Sequence, residues 1–515
     1  MAQRTIIRGG RLLNAAARSA PPQDILIEDG AILAVGEPGM DAPSDAAVID
    51  ASTSLMHPGL INGHTHGMGN LCKGMEDRFT LELLWTAAYA MLDNQTLEYK
   101  YLNAYLGAVE MVMKGCTVAY DLTFGFPIAS VEEMEAIGQA YLDAGMRAVL
   151  APMIADIGFY QAIPGLYDAM PPHLQKEIDA SPMPGADAVL KMTRQALHTW
   201  PHDTERVRLG IAPTIPLHCS DEITIGAHRL AREYGVVLHS HVAESKTQAV
   251  ASFARWGKTL TAHIDDLGLL GPDFTVAHGV WLDDDDMRRL ADNGSSVSHN
   301  AGSNMRLGSG IADARRMLEL GVNLAIGTDS ANCSDNQNMY EAMRYASMVS
   351  SVRGPDYKRW MTTPEIMTAA TEGGAYATGF KNLGKIAPGY RADIVFLDLH
   401  SLNWMPVNAP VNQAVLTEDG TGVRDVMVDG KYVVKDRKHL AVDMAALAAK
   451  TAAAHQRLTE LNAPAKALGK AFEEAVGSFC IGLSSLPYHI ERYGGPYPSS
   501  FGRMHAHGHD HDHHH

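Results

Sequence analysis

The sequence contains few cysteines, and none of them are paired in a metal-binding spacing. The five are Cys72, Cys116, Cys219, Cys333 and Cys480, and they are scattered without a Cys-x-x-Cys motif. A small disulfide framework needs many closely spaced cysteines, and a thiolate zinc site needs paired ones. The sequence therefore excludes both of these classes.

Long hydrophobic runs and a surplus of positive charge are also absent. No apolar run reaches the length that crosses a bilayer, and the first ten residues, MAQRTIIRGG, lack a signal-peptide core. The formal net charge is −17, with no basic stripe of the kind that nucleic-acid binding requires. These absences predict a cytoplasmic protein with neither a membrane nor a nucleic-acid partner, in which the acidic balance serves solubility.

Short apolar, β-rich runs alternate with helical stretches through the middle of the chain. Eight such runs can be counted: Leu55–His66, Cys116–Thr123, Arg147–Asp156, Val207–Thr214, Val236–Glu244, Phe274–Leu282, Ser296–Ser303 and Asn323–Ser330. Helical patterns lie between them, for example at Leu97–Lys114, Val131–Ala144, Ala186–Trp200, Glu222–Glu233 and Asp284–Asn293. Eightfold alternation is typical of a (β/α)8 TIM-like barrel, an α/β fold. A doubly wound open sheet is the alternative, but polar residues cluster at the C-terminal ends of the strands, which favours the barrel.

The flanks of the barrel have a different pattern. Residues 1–54 and 389–440 contain short strands joined by glycine turns, and we expect them to pair into one small β-sandwich domain around a barrel at 55–388. Residues 441–515 predict a helical C-terminal extension with a disordered tail. That tail ends in HAHGHDHDHHH, which is either an engineered tag or a native metal-sequestering segment, and we assign it no catalytic role.

Two long insertions follow predicted strands. Gly67–Trp85 comes after the first strand and Ile157–Gly185 after the third. Long loops in compact domains often serve function, so a substrate lid is favoured over a plain surface excursion.

Histidines and acids recur where the predicted strands end. The first strand ends in His64-Thr65-His66, and the fifth has the sequence HSHVAES, with His241 and Glu244. His278 ends the sixth strand and Asp329 the eighth. Alternate strand residues face the same side, and imidazole and carboxylate are ligands of divalent zinc or iron. The pattern predicts a metal site on one rim of the barrel.

These motifs resemble the amidohydrolase superfamily, in its cytosine-deaminase-like and triazine-hydrolase-like branch. The matching segments are PGLINGHTH, HSHVAES, VAHGVWL, HNAGSNMRLGSG, GTDS and GYRADIVFLDL, and they span nearly the whole chain. The resemblance implies the metal ligands His64, His66, His241 and Asp329. It also implies that Glu244 is the proton shuttle and that His278 sits beside the metal-bound water and the substrate. Asp329, a strong acceptor, is expected to take a proton from that water.

Two details of the metal site depend on the same resemblance. His239 and His241 have equal parity, so geometry leaves both open as a ligand. The family pattern His-x-x-Glu selects His241, which leaves His239 as a packed, hydrogen-bonded histidine. Binuclear relatives carry a bridging lysine at the fourth strand, whereas this chain has no lysine between Lys191 and Lys246. We therefore expect one divalent ion, zinc, with iron as the alternative.

The substrate-binding residues are predicted from position. Trp85 is placed to stack on a planar ring, and Asn304 to bond a ring heteroatom. Cys333 lies in the polar loop after Asp329, whose SDNQN element is similar to that of triazine-type hydrolases. Thr214 stands where many deaminases of the branch have a substrate-contacting histidine, and His218 is the candidate that compensates. This departure argues against standard adenosine- or cytosine-type substrates.

The leading hypothesis is a hydrolase that uses metal-activated water to remove an amino or alkylamino group from a purine, pyrimidine or triazine. Dechlorination of a heterocycle and opening of a cyclic amide are the enzymatic alternatives, and a metal-sequestering protein is the non-enzymatic one. The partner is a small heterocyclic substrate, and analogy with barrel enzymes of the branch predicts a homo-oligomer.

Overall fold

The computed structural model describes residues 3–125 and 128–494. The His-rich tail therefore lies outside the described residues. The strands of the described chain are β1 (Arg4–Leu12), β2 (Pro22–Glu28), β3 (Ala31–Gly36), β4 (Ala47–Asp50), β5 (Ser54–Pro58), β6 (Leu60–Thr65), β7 (Cys116–Thr123), β8 (Arg147–Ile154), β9 (Val207–Leu209), β10 (Ala212–Pro213), β11 (Leu238–Val242), β12 (Phe274–His278), β13 (Ser296–His299), β14 (Asn323–Ile326), β15 (Ile394–Asp398), β16 (Val423–Val428), β17 (Lys431–Lys435) and β18 (Lys438–His439).

Helices follow most of these strands. They are α1 (Leu81–Leu92), α2 (Leu97–Met113), α3 (Val131–Asp143), α4 (Phe159–Ala162), α5 (Pro172–Asp179), α6 (Ala186–Thr199), α7 (Asp221–Tyr234), α8 (Lys246–Trp256), α9 (Leu260–Asp266), α10 (Asp284–Asp292), α11 (Ala301–Arg306), α12 (Ala314–Leu320), α13 (Met339–Ser351), α14 (Thr363–Thr368), α15 (Gly374–Thr378), α16 (Pro410–Leu416), α17 (Met444–Leu461) and α18 (Ala463–Ser484). A π turn at Ala369–Gly373 joins α14 to α15, and a 3-10 turn at Gly67–Cys72 follows β6.

Local sequence explains where the long helices begin and end. The hydroxyl of Ser130 accepts from the backbone N–H of Glu133, and the carboxylate of Glu133 accepts from the backbone N–H of Ser130. These two bonds form a capping box at the start of α3. Ser220 caps α7, and the helix stops at Gly235, whose φ of 65° lies in the left-handed region. The predicted helices α2, α3, α6, α7 and α10 are confirmed to within one residue at each end.

The central strands form two parallel sheets that join into a ring. One sheet runs β10-β8-β7-β6, with β9 also on β8, and the other runs β11-β12-β13-β14. The backbone N–H of His239 donates to the carbonyl of Ile211 at 3.0 Å, which links the fourth strand to the fifth. The N–H of Asp329 donates to the carbonyl of His64 at 2.9 Å, which links the eighth strand to the first. The predicted α/β barrel fold is thus confirmed.

The two chain flanks pair with each other in a second, β-rich unit. Its nine-stranded sheet has the order β18-β17-β16-β15-β5-β1-β2-β3, with β4 on β1. The run expected at Leu55–His66 is divided, because β5 pairs with the flank strand β15 and only β6 enters the barrel. A separate core that includes Ile7, Ile25 and Phe396 stabilises this sheet. The predicted domain boundaries stay a prediction.

No helix within the described part of the chain combines the length and apolar character that crossing a membrane requires.

Glycine allows the eighth strand to approach the first where the ring closes. A Cβ atom at Gly327 would lie 2.9 Å from the carbonyl oxygen of His64 and 2.7 Å from the hydroxyl of Ser298. Gly327→Ala should therefore lower the free energy of unfolding by about 1–3 kcal/mol, because the strands must separate. Urea unfolding followed by circular dichroism measures the change.

Gly482→Ala is the matched control, since Gly482 lies in α18 and an added Cβ would meet open space. Alanine should raise stability there by about 0.5–1 kcal/mol. A Gly327→Ala protein as stable as the parent would contradict the tight closure.

Candidate metal centre

Six acidic and imidazole side chains converge at the C-terminal ends of the barrel strands. All are buried, and they come from β6, β11, β12 and the segments just after β6, β11 and β14: His64, His66, His241, Glu244, His278 and Asp329. The strand period of two turns His64 and His66 to the same side. The structure thus brings together every residue that the sequence placed in the metal site and its catalytic surroundings.

The shortest contact joins two imidazoles. His66 Nε2 lies 3.2 Å from His241 Nε2. His64 Nε2 and His66 Nε2 each lie 3.5 Å from Asp329 Oδ1. Two groups that share His64 have ligand atoms within 4.8 Å of one another, which is the spacing of a metal site: His64, His66 and Asp329, and His64, His241 and His278.

Backbone carbonyls fix the orientation of two of these imidazoles. His66 Nδ1 donates to the carbonyl of Leu122, and His241 Nδ1 donates to the carbonyl of Thr214, both at 2.7 Å. The donated proton leaves a lone pair on each Nε2 of a neutral ring. Burial, followed by repulsion from His64, holds the pKa of His241 well below its usual value, which keeps that ring neutral. Two lone pairs facing each other at 3.2 Å are satisfied by a cation between them.

Several buried polar atoms at the centre have no hydrogen-bond partner within residues 3–125 and 128–494. They are both ring nitrogens of His64, His278 Nε2 and Glu244 Oε2. An unpaired buried polar atom costs about 1–3 kcal/mol. Nitrogen and oxygen donors of this kind suit zinc or iron, so the residues present fit a divalent cation.

Asp329 is held in an unusual backbone conformation. Its φ is 65°, a left-handed value that non-glycine residues rarely adopt and that clusters at functional sites. The backbone N–H of Ser330 donates to Asp329 Oδ1 at 2.6 Å. Burial raises the pKa of Asp329, but the adjacent imidazoles, led by that of His64, outweigh it and bring the pKa well below the usual value. Asp329 is therefore an ionised carboxylate.

Glu244 and His278 form the second part of the centre. His278 Nδ1 donates to Asn304 Oδ1 at 2.8 Å, and its Nε2 lies 3.6 Å from both Glu244 Oε2 and Asp329 Oδ2. Burial, followed by repulsion from Asp329, raises the pKa of Glu244 well above the ordinary value. Glu244 is thus suited to carry a proton, beside an imidazole of fixed orientation.

A buried amide network below the site was not predicted. Asn62 Nδ2 donates to the hydroxyl of Thr328 at 2.7 Å, and Gln337 Nε2 donates to the carbonyl of Asp329 at 2.8 Å. Gln337 Oε1 also accepts from the hydroxyl of Thr65 at 2.9 Å. These amides fasten the strand of His64 to the loop of Asp329. Asn62 and Gln337 lie within the PGLINGHTH and SDNQN segments, but sequence assigned them no role.

His239 lies deeper in the barrel than the centre. Its ring packs against His64 at 4.9 Å and Tyr120 at 4.4 Å between centroids. In the described part of the chain neither ring nitrogen has a hydrogen-bond partner, whereas the sequence led us to expect a hydrogen-bonded histidine.

The cavity beside the centre has about 740 Å³ of empty space, part of it continuous with solvent. Trp85 and Cys333 line it. Thr214, His218 and Asn304 are not among its described lining residues: they contact Met153, Trp85 and His278 respectively. The substrate roles of all five stay predictions.

Both predicted lid insertions lie near this cavity. Gly67–Trp85 supplies the 3-10 turn and the first residues of α1, which carry lining residues. The second insertion places Phe159 on Trp85, with ring centroids 5.9 Å apart. The first insertion therefore forms a wall of the cavity, and the second supports that wall.

Comparison with known proteins identifies relatives of this chain. The chain is 31% identical to a 5-methylthioadenosine/S-adenosylhomocysteine deaminase of Thermococcus kodakarensis, over 83% of this chain and 93% of that protein. It is 32% identical to a 5'-deoxyadenosine deaminase of Methanothermobacter thermautotrophicus, over 80% of this chain and 89% of that protein.

Solved structures share the fold. A zinc complex of atrazine chlorohydrolase TrzN from Arthrobacter aurescens TC1 has a TM-score of 0.79 at 23% identity, covering 88% of this chain and 100% of that one. A zinc-bound adenosine deaminase from Xanthomonas campestris has a TM-score of 0.77 at 24% identity, covering 88% and 98%. The profile of the Amidohydrolase family matches residues 55–433. With the barrel and its ring of inward-facing imidazoles, these matches show that the chain belongs to the amidohydrolase family.

Proposed function

We propose that this protein is a zinc-dependent hydrolase that removes an amino or alkylamino group from a small nitrogen heterocycle. The observation that carries the proposal is the pair of imidazoles whose Nε2 atoms lie 3.2 Å apart in the buried cluster that also contains Asp329 and Glu244. Relatives above 30% identity are named as deaminases of adenine nucleosides, which supports the reaction class. Self-association and cytoplasmic residence stay predictions.

The proposed ligands are His64, His66, His241 and Asp329. A zinc ion held by these residues would polarise a bound water and lower its pKa towards about 7. Glu244 is the proposed proton carrier, because it lines the cavity and has a raised pKa.

The protein side chains divide the remaining work. Asp329 accepts a proton from the attacking water, and Glu244 delivers a proton to a ring nitrogen. A C–O bond then forms at the ring carbon, its C–N bond breaks, and the amine leaves with the proton that Asp329 returns. The proton of the new hydroxyl passes to Glu244, which leaves a ring carbonyl and restores both acids. His278 Nδ1 donates to Asn304, so its Nε2 accepts a hydrogen bond from the attacking water and orients it.

Replacement of Glu244 tests the proton-transfer role. Glu244→Gln should retain the metal and lose about 10²–10⁴-fold in turnover, because the amide cannot carry the proton. Ammonia or amine release and metal analysis on the same sample measure both effects.

Glu98→Gln is the control, because Glu98 is an exposed carboxylate in the first turn of α2 and does not line the cavity. It should keep most of the turnover. Undiminished turnover in Glu244→Gln would refute the role. Release of chloride or of a ring-opened acid instead of amine would identify one of the alternative reactions.

Metal content gives a second test. A chain shortened to end at Met504 should bind one zinc ion, lose ammonia release on chelation and regain it with one equivalent of zinc. His66→Ala should weaken this binding about 10–100-fold or more, whereas the exposed His198→Ala should not. Loss of all tight metal binding with the tail would favour the metal-sequestering function, and two ions in the shortened chain would refute the single site.

A further inference from the structure

Most of the cavity wall outside the metal centre is apolar. This wall comes from α1, from the ends of β7 and β8 and from the turn after β6, and includes Met68, Leu84, Trp85, Met91, Phe124 and Met153. Methionine, leucine and aromatic side chains offer a deformable surface to a planar ring and its apolar substituents.

The few polar side chains in the remaining wall form hydrogen bonds to neighbouring atoms of the protein. The hydroxyl of Ser330 donates to Asn332 Oδ1, and Asn332 Nδ2 donates to Met91 Sδ at 3.1 Å. Cys333 Sγ donates to the carbonyl of Ser330 at 3.3 Å. Burial raises the pKa of Cys72 to about 12, so it presents a neutral thiol.

The described wall also lacks a counter-ion for a charged substituent. Within residues 3–125 and 128–494, neither lysine nor arginine lines the cavity, and its only acids are Glu244 and Asp329 of the centre. Glu82, on the same helix as the apolar wall, is turned to Ser245. A sugar diol, carboxylate or phosphate placed against this wall would lose water and gain few partners, which costs binding free energy.

We propose that the substrate is an amino- or alkylamino-heteroaromatic ring whose other substituents are hydrocarbon or thioether groups, without sugar, carboxylate or phosphate. This inference rests on the proposed function and narrows it. It separates this chain from relatives whose names specify nucleosides, because most of this wall is hydrocarbon and sulfur and its few polar side chains already bond neighbouring atoms.

Matched substrate pairs test the inference on the full-length, zinc-loaded enzyme. 9-Butyladenine and adenosine share the ring and the leaving group, as do a methylthio-substituted ethylamino-triazine and its carboxymethylthio analogue. In at least one pair the apolar member should have kcat/KM about tenfold or more above its polar partner. Equal or greater turnover of the polar member of every pair that reacts would overturn the inference.

Binding to the Glu244→Gln enzyme separates this inference from the proposed function. Calorimetry should show the apolar member of at least one pair binding about tenfold tighter than its polar partner. If the wild-type enzyme releases neither amine nor ammonia while this preference holds, the proposed reaction fails and only the apolar ligand preference of the cavity stands. If both apolar compounds bind no better than their partners, the inference fails.

A variant tests whether the wall sets the preference. Leu84→Gln should reduce the apolar-to-polar ratio of kcat/KM about tenfold, because a free amide then faces the cavity. Leu97→Gln is the control, since Leu97 is 48% exposed at the start of α2 and does not line the cavity. An unchanged ratio of kcat/KM in a folded, zinc-binding Leu84→Gln protein would show that residues outside this wall set the preference. That result would overturn the role of the wall.

Discussion

His66 and His241 face each other with their Nε2 atoms 3.2 Å apart, and the proposed metal site depends on this arrangement. The surrounding structure holds both rings in place. Neither ring can turn away, because each donates its Nδ1 proton to a strand carbonyl, that of Leu122 or that of Thr214. The closed ring of strands also fixes the position of Asp329, because its backbone N–H donates to the carbonyl of His64. Charge complementarity to a cation therefore arises from backbone hydrogen bonds as much as from ligand identity.

The C-terminal extension takes part in shaping the site from a distance. The family profile ends at residue 433, and α18 lies beyond it, packed along α1. Close approach is possible because Gly469 faces the carbonyl of Thr86, where a side chain would clash. A buried cluster with Phe472 and Val476 joins α18 to the second insertion. The apolar wall of the cavity is thus supported by a segment outside the family profile.

Much of this arrangement follows from sequence, for physical reasons. A strand's period of two and the shared polarity of parallel strands make His64, His66, His241 and Asp329 converge once the barrel is recognised. The positions of Thr214, His218 and Asn304 relative to the cavity could not be predicted, because loop and turn geometry decides which way such side chains face. The left-handed backbone of His278 and Asp329, with φ of 71° and 65°, also leaves no trace in residue type.

The first strand shows the same limit. Leu55–His66 reads as one apolar run, yet β5 and β6 belong to different sheets, because pairing partners distant in the chain decide the division. Likewise, Gln337 looks like a surface residue of a polar loop and is fully buried under the site. Tertiary hydrogen bonding overrides composition at both places.

The ligand set of the bound metal tests the central claim most directly. X-ray absorption spectroscopy of the zinc-loaded chain, shortened to end at Met504, reports the donors around the ion. The account predicts three imidazole nitrogens and a carboxylate oxygen at about 2.0–2.2 Å, with a solvent oxygen completing the shell. Sulfur donors, or a shell with fewer than three imidazoles, would contradict it.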